Sequence, residues 1–331
     1  MNYFLERGGI GDMLMRLPYY SQLITAGVDL RIILPEERVG LFAIFLPERH
    51  LIQAKQLLLA KSSIYAAYFR HVNGIDAKND RLYIPLPYHH TKLFQAARRL
   101  ELSTTVYAGS MLPGTGLDLS GFNVIDNPYP VNEYGYGAHI SRHSDVFFRS
   151  LFPQLGSYES IYRNYPRMKQ NNGHGAQYDL VIMTDAGVAW KRYPQTAWQR
   201  FLDMLPRKLK ILQTGTDMMQ LKHPGLTDSG RLPLAESFGL VSGAGMMIGN
   251  DTGLTHWSYL CGNKTICLLG SGDLYNFLPW DCELFKLKCI FDHNCICCDW
   301  NCRRADLKHG TAPCIAQIKP EEIMETYLSM M

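Results

Sequence analysis

Short apolar runs alternate with amphipathic segments along the second half of the chain. The alternation predicts strands at 178–183, 209–215, 245–250 and 264–270, and helices at 194–205, 232–244 and 252–262. Apolar strands separated by helices are typical of a parallel sheet that is covered on both faces. The second half is therefore predicted to be a Rossmann-like, doubly wound α/β unit.

The first half shows the same alternation with less regularity. It predicts strands at 3–5, 29–35, 81–87 and 121–126, and helices from the glycine-rich turn to Ala26, at 89–100 and at 144–152. Residues 153–177 are rich in Pro, Gly, Asn and Gln, which is typical of a linker. We therefore expect two Rossmann-like domains, 1–160 and 161–331, that face a central cleft, because open α/β sheets bind ligands beyond the carboxyl ends of their strands.

Composition narrows the class of protein. The 331 residues are enough for two domains, and an apolar content of 47% excludes a mainly disordered chain. Lys plus Arg number 33 and Asp plus Glu 30, and the resulting net charge of +3 gives no indication of a nucleic-acid partner. The N-terminus lacks a basic region followed by a long apolar stretch, and no apolar run is long enough to cross a bilayer, so we expect a soluble, cytoplasmic protein.

The first motif that carries chemistry is GGIGD, between the first predicted strand and the following helix. Gly9 and Gly11 would let the backbone approach a ligand at a helix N-terminus, where unpaired N–H groups bind anions. The motif is not the GxGxxG of dinucleotide-binding domains, which weighs against an NAD-dependent oxidoreductase. Asp12 has two interpretations: it caps the helix, or it faces the cleft as a general base.

The second motif, MTDAGVAWKRYP, lies between a strand and a helix of the second half. Lys191 is placed to bind a phosphate as a point charge beside a helix N-terminus, and Thr184 belongs to the same predicted ligand-binding loop. The alternative is that Lys191 and Arg192 form a solvated basic pair.

The third motif, GNDTGLTHW, is the strongest of the three. Asp251, Thr252 and Gly253 form the turn after a buried strand, where the free N–H groups of the next helix and the Thr252 hydroxyl would cradle a diphosphate. His256 lies one turn into that helix, where it either supports the phosphate-binding turn or is a structural core residue. Gly270 opens a second glycine-rich loop after the next strand, at the same predicted edge.

The nine cysteines are unevenly distributed, with none before Cys261. Cys295 and Cys298 have the spacing that presents two thiolates to one metal, and Cys302 and Cys314 would complete a tetrahedral site. Four sulfur ligands suit zinc, and iron is the other candidate. The alternative is a set of reduced cysteines that pack a C-terminal loop.

Taken in order, these segments resemble the heptosyltransferase family, glycosyltransferase family nine. GGIGDMLMRLPYY resembles its N-terminal GxxGD signature, WKRYPQTAW its Lys-x-Trp-Pro segment with Tyr193 in place of Trp, and GNDTGLTHWSYLCG its Asp-Thr-Gly-x-x-His segment. LPW at 278–280 and the cysteine-containing tail are also similar to later segments of the family. The similarity spans nearly the whole chain.

The resemblance implies a GT-B fold and an inverting, metal-independent transfer of a sugar, typically heptose from ADP-heptose. By position, Asp12 would deprotonate the acceptor hydroxyl, and Lys191 would stabilise the diphosphate leaving group. Thr252 and Gly253 would bind phosphate, and Asp251 would hold sugar hydroxyls or the loop. Some members of the family carry a Cys-bound iron, so the resemblance also favours a structural metal, zinc or iron, at the cysteine cluster.

The acceptor is not specified by these motifs. Three acceptors are compatible with the sequence: a lipopolysaccharide core, another glycan and a protein side chain. A lipid-linked acceptor would bring the protein to the inner face of the inner membrane, where basic residues of the helix at 89–100 would contact lipid. The alternative function is a catalytically inactive nucleotide-sugar-binding protein of the same fold, and the joint presence of Asp12, Lys191 and His256 weighs against it.

Overall fold

The computed structural model describes residues 1–6, 10–54, 74–76, 78–85, 91–107, 119–126, 140–163, 177–270, 285–288 and 310–331. The chain divides into two compact units, Met1–Pro166 and Arg167–Met331. Each unit is built on a six-stranded sheet whose neighbouring strands are parallel. Among the described helices, none combines the length and the apolar content that crossing a membrane requires.

The first unit alternates strands and helices. Its strands are β1 Asn2–Leu5, β2 Leu30–Pro35, β3 Leu51–Ala54, β4 Arg81–Ile84, β5 Ser103–Tyr107 and β6 Asn123–Ile125, and its helices are α1 Ile10–Leu14, α2 Leu17–Thr25, α3 Glu36–Ala43, α4 Thr91–Leu100, α5 Ile140–Leu151 and α6 Tyr158–Arg163. The strand order is β3-β2-β1-β4-β5-β6, the order of nucleotide-binding Rossmann sheets. The order reverses between β1 and β4, which is where such sheets open a crevice for ligands.

The second unit repeats this topology. Its strands are β7 Tyr178–Met183, β8 Ile211–Thr214, β9 Leu226–Asp228, β10 Ala244–Asn250, β11 Lys264–Leu268 and β12 Phe285–Lys288, and its helices are α7 Gln195–Met204, α8 Leu234–Ser242, α9 Gly253–Leu260, α10 Pro313–Ala316 and α11 Pro320–Met330. The order β12-β11-β10-β7-β8-β9 is the same permutation, with the reversal between β7 and β10. The prediction of α/β architecture with a doubly wound parallel sheet in each half is confirmed.

The central strands of the second sheet are buried on both faces. Leu180, Val181 and Ile182 of β7 are fully buried, so successive side chains pack against helices on opposite sides of the sheet. β10 pairs with β7 in parallel register, with Met247 opposite Val181. On one face, α7 and α11 share a single apolar core with these strands. Burial on both faces produces the continuous apolar runs that the sequence shows.

An aromatic cluster forms the centre of the first unit. Phe4 of β1 is fully buried and stacks on Tyr83 and Phe148, with ring centroids 4.9 and 5.7 Å apart. The Tyr20 ring of α2 meets Phe4 edge-on at 5.2 Å. Each such aromatic pair adds about 0.5–1.5 kcal/mol beyond the area that it buries. The cluster therefore fixes α2 and α5 against the strand that leads into the glycine-rich turn.

Local structure departs from the sequence prediction at two places in the first unit. The helix predicted after the glycine-rich turn is two helices, α1 and α2, because Pro18 has no N–H to donate to the Leu14 carbonyl. The predicted linker, 153–177, begins with α6, whose Tyr158 and Ile161 are buried. The start of that segment is therefore a folded part of the first unit, and residues 164–176 lie outside the described residues.

Gly249 lies at a point where the backbone of β10 approaches its neighbours too closely for a side chain. A Cβ at Gly249 would lie 2.7 Å from the Met183 Cβ and 2.8 Å from the Thr255 Oγ1. We expect Gly249→Ala to destabilise the second unit by about 1–3 kcal/mol, because β7 or α9 must shift to accept the methyl group. Urea unfolding followed by tryptophan fluorescence measures this change, since all five Trp residues lie in the second unit.

Gly239→Ala is the matched control for that variant. Gly239 lies within α8, where an added Cβ meets no atom within 4 Å. Alanine is favoured over glycine in a helix by about 0.5–1 kcal/mol, so this variant should raise the urea midpoint. Equal midpoints for the two variants would contradict the close packing at Gly249.

Candidate functional site

The predicted donor-side residues lie where the strand order of the second sheet reverses. β7 leads into a loop that carries Thr184 and, in a short 3₁₀ turn, Lys191. β10 leads into Asp251 and Thr252, and α9 follows directly. Because β7 and β10 are neighbours in the sheet, the two loops start side by side at the position where open α/β sheets bind ligands.

A buried ion pair joins the two loops. The Lys191 Nζ donates to the Asp251 Oδ2 at 2.6 Å, and the two side chains are only 12% and 3% exposed. The alternative of a solvated Lys191–Arg192 pair is therefore wrong. Arg192 is paired as well, because its guanidinium lies 2.8 Å from the Asp185 carboxylate and 2.7 Å from that of Asp217.

His256 is a second partner of Asp251. Its Nε2 lies 3.1 Å from the Asp251 Oδ1, and its ring is buried. Burial works to raise the pKa of Asp251, but the Lys191 ammonium and the hydrogen bond from His256 outweigh it and hold that pKa well below its usual range. Asp251 is thus a buried carboxylate that stays ionised.

Both carboxylate oxygens of Asp251 are engaged by side chains of the protein. The Asp251 side chain is also only 3% exposed, so little of its surface is accessible to sugar hydroxyls. The arrangement therefore favours the loop-holding role of Asp251 over the sugar-binding role. His256 contacts Asp251 directly, and its support of a phosphate-binding turn stays a prediction.

Thr252 is the N-cap of α9. Its backbone is extended, with φ −143° and ψ 165°, and its Oγ1 accepts a hydrogen bond from the Thr255 N–H at 3.4 Å. Capping satisfies one of the four N–H groups that the start of a helix leaves unpaired. Gly253 and Leu254 have no intrahelical acceptor, so this helix end offers N–H donors to an anion next to the loop that carries Lys191.

Asp185 belongs to the motif MTDAGVAWKRYP, but the sequence analysis assigns it no role. Its buried carboxylate accepts hydrogen bonds from the N–H groups of Thr216 and Asp217, at 3.1 and 3.2 Å, and from the Thr216 hydroxyl. These bonds tie the loop after β7 to the loop after β8. The available signal in the sequence was an acidic residue placed two positions after a buried strand.

Three other residues of the motifs are packed into the protein. Tyr193 is fully buried, which raises the pKa of its hydroxyl, and that hydroxyl donates to the Ile318 carbonyl at 2.7 Å. A Cβ at Gly270 would lie 3.1 Å from the Trp190 carbonyl oxygen, so Gly270 allows close packing there. The Thr184 side chain is fully buried, and its Oγ1 has no hydrogen-bond partner in the described part of the chain. Nucleotide binding by Gly270 and Thr184 stays a prediction.

In the first unit, Asp12 lies within the first turn of α1 and is half-buried. The helix begins at Ile10, so Asp12 is not its N-cap residue but lies in its first turn, and a capping role for Asp12 stays a prediction. Gly11 precedes Asp12 in the same helix, and Gly9 lies outside the described residues. The role of Asp12 as a base stays a prediction.

A fully buried ion pair lies near Asp12. Arg16 donates to both carboxylate oxygens of Glu6, at 2.6 Å from Nε and 2.5 Å from Nη2, and the Tyr20 hydroxyl donates to the same carboxylate. Burial works to lower the pKa of Arg16, but Glu6 outweighs it and raises that pKa, with a smaller contribution from Asp12. Arg16 therefore carries a positive charge at the start of α2, and this charge interacts electrostatically with the Asp12 carboxylate.

Of the four predicted metal ligands, Cys314 alone belongs to the described residues. It is half-buried on α10. Cys295, Cys298 and Cys302 lie outside the described residues, and the described ones contain no group of three or more possible ligands that could hold a metal ion. The metal site stays a prediction.

Comparison with known proteins identifies relatives by structure only. No known protein family and no curated protein matches the sequence. One similar structure is Escherichia coli heptosyltransferase WaaC, which has been solved with ADP and with ADP-2-deoxy-2-fluoro heptose. The ADP form gives a TM-score of 0.66 and 14% sequence identity, and the alignment covers 100% of this chain and 99% of that chain. A glycosyl transferase family 9 structure from Veillonella parvula gives 0.68, with 13% identity over 99% and 96%. The iron-containing dodecameric glycosyltransferase TibC from enterotoxigenic E. coli gives 0.52, with 15% identity over 99% and 75%.

These similarities extend over the whole chain and over most of each solved structure. The chain has the GT-B fold. The resemblance to heptosyltransferases that the motifs suggested is therefore confirmed at the level of fold. Identities of 13–15% carry the comparison no further than fold.

The lowered pKa of Asp251 predicts how the stability of the folded protein changes with pH. A lowered pKa in the folded state stabilises the protein above the unfolded pKa of about 3.9, and that contribution is lost as the pH falls below it. We expect Asp251→Asn to be less stable than the unsubstituted protein at pH 7 by about 3 kcal/mol, because it leaves the Lys191 ammonium uncompensated. The urea midpoint of the unsubstituted protein should fall more steeply between pH 5 and 3 than that of the variant.

The double variant Lys191→Met/Asp251→Asn tests whether the loss comes from the ion pair. With both charges removed, no uncompensated charge is left buried, so the double variant should recover part of the stability that Asp251→Asn loses. Strictly additive losses at pH 7 would show that the two side chains do not interact as the geometry indicates.

Proposed function

We propose that the chain is an inverting glycosyltransferase that moves a sugar from a nucleotide-sugar donor to an acceptor hydroxyl. The donor that we infer is ADP-heptose, which is supported by the fold shared with WaaC. The acceptor is a glycan, a lipopolysaccharide core or a protein side chain. The observation that carries the proposal is the buried Lys191–Asp251 pair beside the N-terminus of α9, at the strand reversal of the second sheet.

A diphosphate leaving group requires positive charge and hydrogen-bond donors. Lys191 supplies the charge, and the N–H groups of Gly253 and Leu254, at the positive end of the α9 dipole, supply the donors. Together they would stabilise the negative charge that develops on the diphosphate as its bond to the sugar breaks. In this proposal a lysine and a helix N-terminus perform the task that a divalent cation performs in other transferases.

Asp12 is the general base of the proposed reaction. It takes the proton of the acceptor hydroxyl while the hydroxyl oxygen forms a bond to the anomeric carbon. The bond from that carbon to the diphosphate oxygen breaks at the same time, and ADP leaves with the electron pair. Attack from the face opposite to ADP inverts the anomeric configuration.

Nucleotide specificity is tested by ligand-induced stabilisation. ADP and ADP-heptose should raise the temperature at which tryptophan fluorescence reports unfolding of the second unit, because a ligand at 100 times its Kd adds about 2.7 kcal/mol. GDP, UDP and NAD at equal concentration should give smaller shifts. Stabilisation by NAD alone would overturn the proposed function in favour of an oxidoreductase.

Asp12→Asn tests the base. We expect kcat to fall by about 10²–10⁴-fold, because the amide cannot accept the acceptor proton, while ADP affinity stays unchanged. ADP release from ADP-heptose measures turnover, with acceptors of three classes: lipopolysaccharide core oligosaccharides, other glycans and proteins.

Asp29→Asn is the matched control for Asp12→Asn, since Asp29 lies in the same unit and its side chain is 66% exposed. This control should retain full turnover. Full turnover by Asp12→Asn would reject Asp12 as the base. ADP binding by the unsubstituted protein without turnover on any acceptor class would favour the catalytically inactive nucleotide-sugar-binding protein instead.

A structural metal is the second element of the proposal. The set Cys295, Cys298, Cys302 and Cys314 offers four thiolates, which suit zinc or iron in a tetrahedral site. The shared fold of the iron-containing transferase TibC supports iron as a candidate. Such a site would hold the C-terminal segment together and would take no part in the transfer.

Elemental analysis of chelator-washed protein tests this site. We expect about one zinc or iron per chain and its loss in Cys298→Ser, because three thiolates retain the metal poorly. Cys297→Ser is the matched control and should keep the metal, since Cys297 is outside the proposed set. A metal content near zero in the unsubstituted protein would reject the site.

A further inference from the structure

One buried side chain closes both ends of the loop that carries Lys191. The Asn250 Nδ2 donates to the carbonyl oxygens of Thr184 and Asp185, at 2.8 and 3.2 Å, where the chain leaves β7. The Asn250 Oδ1 accepts the N–H of Tyr193 at 3.1 Å, two residues after Lys191. Asn250 is fully buried, and both ends of its amide are used.

The sheet itself does not require this side chain. β7 and β10 already pair through their backbones, as far as Met183 opposite Gly249. The amide of Asn250 lies one residue beyond that last pair and bonds only to backbone groups of the loop. Its contacts therefore set the shape of the loop rather than the pairing of the strands.

The same residue also anchors the partner of Lys191. Asn250 directly precedes Asp251, and its carbonyl accepts a hydrogen bond from the Thr255 hydroxyl at 2.7 Å. The backbone on both sides of the Lys191–Asp251 contact is thus fixed to one point. Buried amides with every group satisfied are rigid, because any movement would leave a polar group unpaired at a cost of about 1–3 kcal/mol.

We propose that Asn250 is the positioning residue that holds Lys191 for the diphosphate of the donor. This inference rests on the proposed function and adds a residue that acts through Lys191 without touching the ligand. Such preorganisation strengthens binding because a charged side chain that is mobile in the free protein loses conformational entropy when it binds a ligand. A side chain that is already held in place does not.

A double-mutant cycle tests the proposal. Asn250→Ser is neutral but too short to reach all three backbone groups. We expect it to weaken the binding of ADP and of inorganic pyrophosphate by about tenfold, measured by calorimetry, while Lys191→Met weakens both at least as much. In Asn250→Ser/Lys191→Met the loss should equal that of Lys191→Met alone, because both substitutions remove the same interaction.

Asn263→Ser is the matched control for the cycle. Asn263 is buried in the same unit, and its amide donates to the Val241 carbonyl at 2.7 Å. This variant should bind ADP as the unsubstituted protein does. Should Asn250→Ser fail to fold, as judged by tryptophan fluorescence, Asn250→Thr replaces it, since threonine is neutral, suits the end of a strand and lacks the amide donors.

The outcomes separate this inference from the proposed function. ADP binding with strictly additive losses in the cycle, or with no loss in Asn250→Ser, overturns the positioning role and leaves the proposed function standing. Binding of pyrophosphate but not ADP, with a non-additive cycle, supports the positioning role and overturns the nucleotide donor. Failure of the unsubstituted protein to bind either ligand overturns both.

Discussion

The buried Lys191–Asp251 ion pair joins the two loops on which the candidate site of the second unit depends. A carboxylate that is 3% exposed can remain ionised only with charged and hydrogen-bonding partners, and here Lys191 and His256 both reach it. The lysine and the carboxylate are 60 positions apart in sequence, and they meet because the fourth strand of the sheet lies beside the first. The Lys191–Asp251 contact therefore depends on the Rossmann strand order, which places β10 beside β7.

The two units share one topology but place different chemistry at the strand reversal. In the first unit the charged pair is Glu6 and Arg16, which are fully buried and bonded to each other and to Tyr20. That pair joins the end of β1 to the start of α2, and Asp12 is a further, half-buried carboxylate in the first turn of α1. In the second unit the charged pair is Lys191 and Asp251, and it lies at the start of α9, where the first N–H groups of the helix are directed out of its N-terminus. The same fold therefore provides a carboxylate in one unit and, in the other, a helix N-terminus beside a lysine.

Sequence patterns predicted the strands that are buried on both faces, because such strands appear as uninterrupted apolar runs. They did not predict β3, β5, β9 or β12, which are short or carry polar residues, as in the Leu226–Asp228 strand. The motifs assigned roles to Lys191 and Asp251 but none to Asn250 or Asp185, which they also contain, since an amide or acid after a strand looks like an ordinary turn residue. Their partners lie far along the chain, as Tyr193 does from Asn250 and Thr216 from Asp185, and local patterns carry no information about them.

Function and stability depend on the same contacts in the second unit. Asp251, Asn250 and Asp185 each bond to a loop other than the segment in which they lie, so loosening any of them would lower the stability of the unit and the order of the candidate site together. Active sites commonly sacrifice stability for chemistry, with unpaired charges held in place by the rest of the fold. Here Lys191, which the proposed function assigns to the diphosphate, is paired with Asp251. In the proposed function, a diphosphate beside α9 contacts a lysine side chain that its ion pair with Asp251 already orders. Less side-chain conformational entropy is then lost when the ligand binds, which favours affinity.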